Sequence, residues 1–510
     1  MRYLITWLDV LSGSPVLTLL LGGFGVFFLV ASWWLLRRRQ ARGKLSRARV
    51  GIVVAALLFG AFLVGSVGVV LYRWPPRFRQ MWMEYVHGDF ADEQLIDSLR
   101  GMNLEFPTPV PDIPGEWAQW RGPRRDGSSS ETGLNLDWAS AAPKVVWRQP
   151  IGSGYSSVAV SGDRVFTQDR QGKNERVVCL SADKGNVLWA HSYAADYSEF
   201  RSHQTGPRST PTVYEGRVYS VGATGLFLCL EANPANGQAI VLWQHDLLQE
   251  FEGEVPTWGV ACSPLVEGRL VIVQPGGAKG AIVAFDRFTG KLAWTALDDP
   301  SGYSSPLAAT AAGVRQIIAF TAERLVGLNP EDGKLLWEYP WETAFRANIA
   351  TPVVAGDTVF ISSNYKVGCA LVKLTQEEKG VRADPVYVRR NKLMRNHQST
   401  CVLYKGMLFG CDSQDTTHIY LRCLDLVTGT EKWTAPHVGK VVPLLVDGHL
   451  ILQHEDGDLI LVEARGDQFR EKARLSPFSD REEVWALPAL AAGRLYVRNH
   501  KEVVCVELKR

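Results

Sequence analysis

The sequence lacks the residue patterns that identify several common classes of enzyme and metal protein. It contains eight cysteines, and the first of them is Cys179, which excludes a lipid-modified cysteine near the N-terminus. No group of cysteine and histidine has zinc-binding spacing, no glycine-rich phosphate loop follows a predicted strand, and no nucleophile elbow is present. These absences argue against a zinc site, a P-loop nucleotide site and an α/β-hydrolase site.

Acidic residues are almost missing from the first 79 residues, which contain eleven Lys and Arg but only one acid, Asp9. Since the whole chain has a net charge of +2, residues 80–510 carry a net charge of −8. Binding to a phosphate backbone requires a basic face, which an acidic body does not provide. The sequence therefore predicts no nucleic-acid partner.

Two long apolar segments, residues 16–36 and 50–72, contain no ionisable side chain except Tyr72. Each is long enough to cross a hydrocarbon core about 30 Å thick as a helix. The loop between them, residues 37–49, has seven positive charges and no acid, so the positive-inside rule makes it cytoplasmic. Residues 1–73 are therefore predicted to be a two-helix anchor in a bacterial inner membrane, with the rest of the chain on the periplasmic side.

A cleaved signal peptide is the competing interpretation of the first apolar segment. Arg2 is its only charged N-terminal residue, its apolar stretch is long, and a second span follows directly after the loop. These features favour the uncleaved, multi-pass anchor.

Residues 74–142 predict a linker and a strap. Within it, ADEQLIDSLRGM (91–102) predicts a short helix, because Leu95 and Leu99 are four residues apart and a glycine follows. The proline-rich residues 103–116 predict an extended spacer. The segment WAQWRGPRRDGSSSETG (117–133) combines tryptophans with turn residues, and it predicts a strap whose rings pack on the next domain.

One pattern recurs from residue 143 to the C-terminus. Its second half has the form VAFDRFTGKLAW (283–294), in which a strand, an acidic-glycine turn and a strand with tryptophan follow one another. Strands that alternate apolar and polar residues, with turns every eight to twelve residues, are typical of short antiparallel strands. The tryptophans at the repeat position are Trp147, Trp189, Trp243, Trp294, Trp337 and Trp433, and DPVYVRR (384–390) occupies the place that has no tryptophan.

A period of 40–50 residues with four strands per unit predicts a β-propeller. The first strands start near residues 156, 210, 263, 305, 351, 400, 442 and 487, which predicts eight blades over residues 143–510. The last unit has only three strands before the chain ends. We expect KVVWRQPI (144–151) to supply the missing outer strand, which would close the ring and remove two open edges.

The repeat resembles that of the pyrroloquinoline-quinone (PQQ) propeller superfamily, in the pattern [AC]-x-[DN]-x-x-x-G-x-x-x-W. The WAQWRGPRRDG lead-in resembles that of uncharacterised membrane-anchored bacterial PQQ-like repeat proteins. The resemblance implies the quinoprotein alcohol dehydrogenase-like fold, in which the glycine turn and the tryptophan lock neighbouring blades. The superfamily includes calcium- and PQQ-dependent dehydrogenases as well as a non-catalytic lipoprotein of outer-membrane assembly, so fold alone does not decide the function.

The cysteines give little support to the enzyme alternative. Dehydrogenases of this superfamily commonly stack the cofactor on a disulfide between adjacent cysteines, and the haem-bearing members need Cys-x-x-Cys-His; this sequence has neither. Cys179, Cys229, Cys423 and Cys505 occupy equivalent third-strand positions and are expected to be small buried residues. Cys401 and Cys411 fall on predicted neighbouring strands of blade six, where an oxidising compartment would permit a disulfide.

The loops from the fourth strand of one blade to the first strand of the next are the long ones, and they open on one face. Binding residues collect on such loops. The position two residues before the Ser/Thr-Pro junction, or before the equivalent pair in blades without one, predicts a ring around the channel mouth: Tyr155, Arg208, Ala261, Tyr303, Ile349, Gln398, Lys440 and Trp485. Asn348 and His397 are sequence neighbours of this ring and are expected to point nearby. Such a ring could receive a planar anion such as a quinone carboxylate. Calcium would also need carboxylates, and the loops offer Glu254, Asp298 and Asp299.

The sequence as a whole favours a non-catalytic scaffold of the cell envelope that docks a protein on its long-loop face, with no cofactor. The first alternative is a PQQ- and calcium-dependent alcohol or sugar dehydrogenase that passes electrons to membrane quinone. In that case Arg208, Lys440 and Trp485 are the predicted cofactor contacts. A propeller that binds a ligand or glycan without redox chemistry is the second alternative.

Overall fold

The repeat units fold into four-stranded antiparallel sheets, because each unit supplies four short strands separated by tight turns. The computed structural model describes residues 89–509, except 103, 105–114, 201, 203–204, 379, 391–392 and 414–417. Within these residues it contains eight such sheets, and two of them carry a fifth strand. The prediction of an all-β, eight-bladed propeller is confirmed.

The strands of each blade run in chain order from the channel to the rim. Blades one to four consist of Ala159–Ser161, Arg164–Gln171, Asn174–Ser181 and Val187–Ala194; Thr212–Tyr214, Arg217–Val221, Leu226–Glu231 and Val241–Asp246; Leu265–Glu267, Leu270–Val273, Ile282–Asp286 and Leu292–Ala296; Leu307–Ala311, Val314–Phe320, Arg324–Leu328 and Leu335–Pro340.

Blades five to eight follow the same order, except that the outer strand of blade eight comes from the start of the domain. They consist of Val353–Ala355, Thr358–Ser363, Gly368–Glu377 and Gly380–Arg390; Val402–Tyr404, Met407–Ser413, Ile419–Asp425 and Glu431–Pro436; Val441–Val446, His449–His454, Leu459–Glu463 and Glu471–Leu475; Ala489–Ala491, Arg494–Arg498, Glu502–Glu507 and Lys144–Pro150.

The predicted closure of the ring is confirmed. Lys144–Pro150 pairs with Glu502–Glu507 and places Trp147 opposite Cys505. Each blade has a register shift between its third and fourth strands, at the equivalent place in the repeat. Such a bulge increases the local twist and bends the strand. Apolar side chains of neighbouring blades then form shared clusters, such as that of Phe227 in blade two with Phe285 in blade three.

The repeat tryptophans connect neighbouring blades. The indole Nε1 of Trp147 donates to the Ala182 carbonyl at 3.0 Å, and that of Trp433 donates to the Arg465 carbonyl at 2.9 Å. A Cβ on Gly185, whose φ is +76°, would lie 2.5 Å from the Trp147 ring, so the turn must be glycine for the ring to pack. In blade five Tyr387 takes the tryptophan's place, and its hydroxyl donates to the Leu426 carbonyl at 2.9 Å.

Trp337 is the exception among the repeat tryptophans. Its indole nitrogen donates to the Gln316 side chain of its own blade. The next blade has no acidic-glycine turn, because Gly368–Glu377 and Gly380–Arg390 form one long hairpin instead. The expected carbonyl partner is therefore missing at this junction.

The predicted short helix is confirmed as Glu93–Leu99. Asp92 caps its N-terminus by accepting hydrogen bonds from the backbone N–H groups of Gln94 and Leu95. Ile96 and Leu99 pack into the cluster shared by blades five and six, and Phe90–Ala91 adds a strand to the edge of blade five. Two more short helical turns, Leu247–Glu250 and the 3-10 turn Ala344–Arg346, lie in the long loops.

In the described part of the chain, no helix has the length and apolarity needed to span a bilayer. The two predicted spans, residues 16–36 and 50–72, lie outside the described residues, and so does nearly all of the proline-rich spacer.

The possibility of a disulfide in blade six is not realised, because Cys401 and Cys411 are both free thiols. Cys401 packs in the cluster shared with blade five, whereas Cys411 packs in the cluster shared with blade seven. Their side chains therefore lie on opposite faces of the same sheet. The four equivalent third-strand cysteines are fully buried, as expected.

Candidate functional site

The segment before the first blade lies across the central channel, rather than against the outside of the domain. We call residues 115–129 the channel strap. Trp117 forms a bridge with Val160 of blade one, and Ser128–Ser129 pairs in parallel with Leu445 and Val446 of blade seven. The strap was predicted to pack its rings on the propeller, but its position inside the channel was not predicted.

Two buried arginines fix the strap to opposite sides of the ring. Arg121 donates to the Thr400 and Cys401 carbonyls of blade six, at 3.2 and 2.8 Å. Arg125 donates to the Ser263 and Pro264 carbonyls of blade three, at 3.0 and 2.9 Å. Both guanidinium groups bond carbonyls at the ends of inner strands that face the long loops. They therefore hold the strap near the long-loop face of the ring.

The strap divides the channel into two cavities. The upper cavity opens among the long loops and has a volume of about 180 Å³. Trp120 of the strap forms part of its floor, and its indole nitrogen donates to Thr351 Oγ1 at 2.9 Å. The other residues that line it are Tyr155, Arg208, Trp258, Ala261, Tyr303, Ser305, Ile349, Tyr365, His397, Gln398, Thr400 and Trp485.

Aromatic rings form the walls of the upper cavity in two groups. On one side Tyr155 stacks on Trp485, with 5.0 Å between ring centroids. On the other side Trp258 stacks on Tyr365 at 6.5 Å and contacts Tyr303 at 5.5 Å. Rings packed against one another in this way have few alternative rotamers, so the walls are preorganised.

Three of these rings have their polar atoms hydrogen-bonded within the protein. The Tyr155 hydroxyl is hydrogen-bonded to Thr205 Oγ1 at 3.0 Å, and the Trp258 indole donates to Ser202 Oγ at 3.0 Å. The Tyr365 hydroxyl is hydrogen-bonded to His397 Nε2 at 3.0 Å. The cavity therefore presents ring faces more than hydrogen-bonding groups.

Arg208 is the cation in the wall of the upper cavity. Its Nη1 donates to the Gly206 carbonyl at 2.7 Å, and the guanidinium lies 5.3 Å from the centre of the Tyr155 ring and 5.7 Å from that of Phe200. Burial lowers the pKa of Arg208 from its ordinary value. Arginine nevertheless stays protonated in proteins, so the wall keeps a positive charge.

A buried carboxyl group supports the loop that carries Arg208. Glu175 accepts hydrogen bonds from the hydroxyls of Tyr193 and Tyr197 and from the Ala223 N–H. Burial raises the pKa of Glu175 above its ordinary value, although these hydrogen bonds and Arg208 act in the opposite direction. The Tyr197 ring packs on Phe200, which lies against Arg208.

Most of the predicted channel-mouth ring does line the upper cavity. Two of the predicted residues lie elsewhere. Lys440 borders a smaller adjoining cavity, where its ammonium group is 3.4 Å from Glu455 and 6.0 Å from the centre of the Trp485 ring. Asn348 is fully buried, and its amide nitrogen donates to the Thr321 and Trp341 carbonyls, which anchors the loop to blade four.

Three lining aromatics were not predicted. Trp258 lies in a loop that the sequence singled out, but five residues before the junction used to define the ring. Tyr365 lies in the turn between the second and third strands of blade five, which opens on the same face as the long loops because the strands are antiparallel. Trp120 belongs to the non-repeating strap. The aromatic content of these segments was the available signal.

The lower cavity, on the other side of the strap, is larger, about 540 Å³, and is charged. Its wall includes Arg315, which makes a two-point ion pair with Glu267 at 2.8 and 2.7 Å. Glu215 in the same wall pairs with Arg287 at 2.5 Å. Its charged groups thus have partners within the chain.

The residues of the upper cavity do not fit a quinone cofactor bound together with calcium. Calcium requires several oxygen ligands, usually with carboxylates among them, and none of the described lining residues is Asp or Glu. Of the loop acids predicted as candidates, Asp299 is buried in an ion pair with Arg324 at 2.6 Å and Glu254 pairs with Arg346 at 2.7 Å. Asp298 is exposed. Over the described ranges, no group of three His, Cys, Asp or Glu could hold a metal ion.

The fold is that of a PQQ-like repeat propeller, and comparison with known proteins agrees. The family model described as outer membrane protein assembly factor BamB matches residues 139–236 and 173–435, more than half of the sequence. The chain belongs to this family of PQQ-like β-propellers. No curated protein matches the sequence.

Solved structures show the same fold at low sequence identity. A europium-containing methanol dehydrogenase is 12% identical, with a TM-score of 0.59 over 80% of this chain and 91% of its own. The quinohemoprotein alcohol dehydrogenase from Comamonas testosteroni is 13% identical, with a TM-score of 0.56 over 82% of each chain. BamB from Moraxella catarrhalis is 15% identical over 72% of this chain and 86% of its own, but its TM-score of 0.35 is too low to support a conclusion. At these identities the likeness concerns the fold alone.

Proposed function

We propose that the protein is a membrane-anchored binding scaffold of the bacterial cell envelope. In this proposal residues 1–73 anchor the chain in the inner membrane, the propeller lies on the periplasmic side, and its long-loop face holds a partner protein without catalysing a reaction. The family's description as an assembly factor is consistent with this role. The two apolar segments and the basic loop between them support the location.

The observation that carries the proposal is the composition of the upper cavity. Tryptophan, tyrosine and arginine are the residues most enriched where protein partners bind most strongly, in well-packed pockets near the centre of an interface. The upper cavity has six Trp and Tyr and one Arg in its wall, and it lies at the centre of the long loops. A rigid ring of blades positions these loops, as binding loops usually require.

The same residues give little support to catalysis. Among the described residues of the cavity wall there is no carboxyl group and no cysteine to act with His397. All eight cysteines are buried, and burial raises the pKa of Cys411 to about 12, which leaves it without thiolate character at neutral pH.

Site-specific photo-crosslinking in intact cells tests the docking role. A photoreactive residue at Phe345, which is 47% exposed on the long-loop face, should give a discrete crosslinked product. The matched control is Leu335, which is 43% exposed at the opposite end of blade four and should give none. Equal products from both positions, or none from either, would contradict the proposal.

A calorimetric titration of the full chain with PQQ, with and without calcium, tests the dehydrogenase alternative. We expect no calcium-dependent binding, since the cavity wall lacks the carboxylates that calcium would need. Tight calcium-dependent binding that is lost in Arg208→Gln would contradict the scaffold proposal and favour a quinoprotein dehydrogenase.

The membrane topology is tested with alkaline phosphatase fusions. Alkaline phosphatase becomes active only outside the cytoplasm. A fusion after Arg510 should therefore be active, whereas a fusion at Lys44 in the basic loop should be inactive. Removal of the N-terminal segment from the mature protein, read by N-terminal sequencing, would favour the cleaved signal peptide instead.

A further inference from the structure

The upper cavity is built to hold a flat apolar group. Ring faces form much of its walls, beside Ser305, His397, Gln398 and Thr400. The hydroxyls of Tyr155 and Tyr365 and the indole nitrogen of Trp258 are hydrogen-bonded to neighbours. A neutral sugar needs several hydrogen-bond partners, and leaving polar groups unmatched weakens binding. An aromatic ring needs only faces on which to stack.

The charge of the cavity selects an anion. Aromatic cages bind quaternary ammonium groups through the negative faces of their rings. Here, however, the wall contains Arg208, and none of the described lining residues is a carboxylate. Glu175 interacts with Arg208 from outside the wall, and burial raises the pKa of this carboxyl group. A guanidinium that stays protonated in a low-dielectric wall attracts a carboxylate and repels an ammonium group.

The size of the cavity limits the ligand. Its volume of about 180 Å³ is below the range of roughly 300–1,000 Å³ that is usual for small-molecule sites. Trp120 and the rest of the strap close the far end, so a chain cannot pass through. One ring with a short substituent fits this shape.

We propose that the upper cavity binds a single aromatic ring that carries a carboxylate on a short tail. The ring lies between the stacked Tyr155–Trp485 pair and the stacked Trp258–Tyr365 pair, and the carboxylate pairs with Arg208. This inference rests on the proposed binding role of the long-loop face and adds the chemistry of the bound group. That chemistry has two sources, a small aromatic acid and the C-terminal aromatic residue of a polypeptide.

Calorimetry on the full-length protein in detergent tests the chemistry with matched probes. 3-Phenylpropionate should bind at least about tenfold more tightly than its neutral amide, since a hydrogen bond to a charged group is worth that much. Acetate, which has the charge but no ring, should bind no better than the amide. Equal affinity of acid and amide, equal affinity of acid and acetate, or no binding of the acid at millimolar concentration would each overturn the inference.

Variants assign the charge to Arg208. Arg208→Gln should reduce the affinity for 3-phenylpropionate at least about tenfold and leave that for the amide unchanged. Arg208→Lys should retain part of the affinity, and the melting temperature of each variant shows whether it folds. The control is Arg346→Gln, an exposed arginine near the cavity that pairs with Glu254; if it lowers affinity as much as Arg208→Gln, the effect is general electrostatics and the assignment is wrong.

The peptide Gly-Gly-Phe and its C-terminal amide separate the two sources. Tighter binding of the free peptide than of 3-phenylpropionate indicates a polypeptide terminus, and weaker binding indicates a small acid. The outcome is also separable from the proposed function. If the acid fails to bind while the Phe345 crosslink persists, the ligand chemistry is wrong and docking stands; if the acid binds but no crosslink forms, docking is wrong and the site takes a small acid.

Discussion

The two cavities on either side of the channel strap differ in size and in chemistry. The lower cavity has about three times the volume of the upper one, and both signs of charge line it. Arg315 there pairs with Glu267, and Glu215 pairs with Arg287. The upper cavity is small, has an aromatic wall, and contains one arginine and no described acid.

The difference shows that the number of polar groups in a cavity is a poor guide to binding. Charged groups that are already paired within the chain interact only weakly with a ligand. Surface ion pairs also contribute little to stability. Preorganised ring faces around one charge can select a ligand by shape and sign together. Four substitutions test this contrast, beginning with the strap that creates it.

The largest effect is expected from Arg121→Ala in the strap. Removing this guanidinium leaves the Thr400, Cys401 and Asp126 carbonyls without their donor in a buried site. Each such loss costs about 1–3 kcal/mol, so we expect the free energy of unfolding to fall by roughly 3–5 kcal/mol, measured by chemical denaturation. The control is Arg124→Ala, whose ion pair with Asp126 is partly exposed; a loss as large there would mean that the strap is not held through the channel.

Trp258→Ala should weaken binding at the upper cavity but leave stability nearly unchanged, because Trp258 lies in a loop and is only half-buried. Loss of a central aromatic contact typically costs about 2 kcal/mol or more, which is a roughly 30-fold weaker affinity for 3-phenylpropionate. Tyr214→Ala, which truncates an aromatic residue of the lower cavity, should leave that affinity as it is. Equal losses from the two variants would remove the distinction between the cavities.

Glu175 makes the stability of the upper region depend on pH. Burial raises its pKa in the folded state above the ordinary value of 4.5, so the folded protein keeps this proton to a higher pH than the unfolded chain does. The stabilisation that Glu175 contributes is present in full below its pKa in the unfolded chain, and it is lost as the pH rises through its pKa in the folded protein. The free energy of unfolding of the unmodified protein, relative to Glu175→Gln, should therefore fall as the pH rises above the ordinary value of 4.5; a difference that stays flat or rises would contradict the burial of this group.

The smallest effect is expected in the lower cavity. Glu267→Gln removes one partner of a half-exposed ion pair, so it should lower the free energy of unfolding by at most about 1 kcal/mol. It should not change the affinity for 3-phenylpropionate. A loss well above about 1 kcal/mol would show that the ion pairs of the lower cavity contribute substantially to stability, against this expectation.

The repeat made the ring predictable. The blade starts, the outer strand from residues 144–151 and the replacement of a tryptophan in DPVYVRR all follow from one local pattern that recurs at a fixed period. The period placed DPVYVRR at the position that has no tryptophan, and the structure shows that Tyr387 of this segment takes the tryptophan's role.

The candidate site was predictable only where it follows the repeat. Seven of the eight ring positions face the upper cavity because equivalent positions in equivalent blades point to the same axis. The strap occurs once, so no period shows that Trp120 enters the channel. Asn348 was misplaced because the side chain of a loop residue follows its hydrogen bonds, here to the Thr321 and Trp341 carbonyls, and not its nearness in sequence to the ring.

The closure of blade eight sets an order for biosynthesis. Lys144–Pro150 is synthesised before the other strands of the ring, but its partner strand Glu502–Glu507 is made only after the strands of the other seven blades. At ribosomal speeds of about 5–20 residues per second, the first strand waits roughly 20 to 70 seconds as an unpaired edge. The strap, which precedes it, is already present during that time. Because the strap is synthesised before the ring that encloses it, folding does not require a later segment to be threaded into a closed ring.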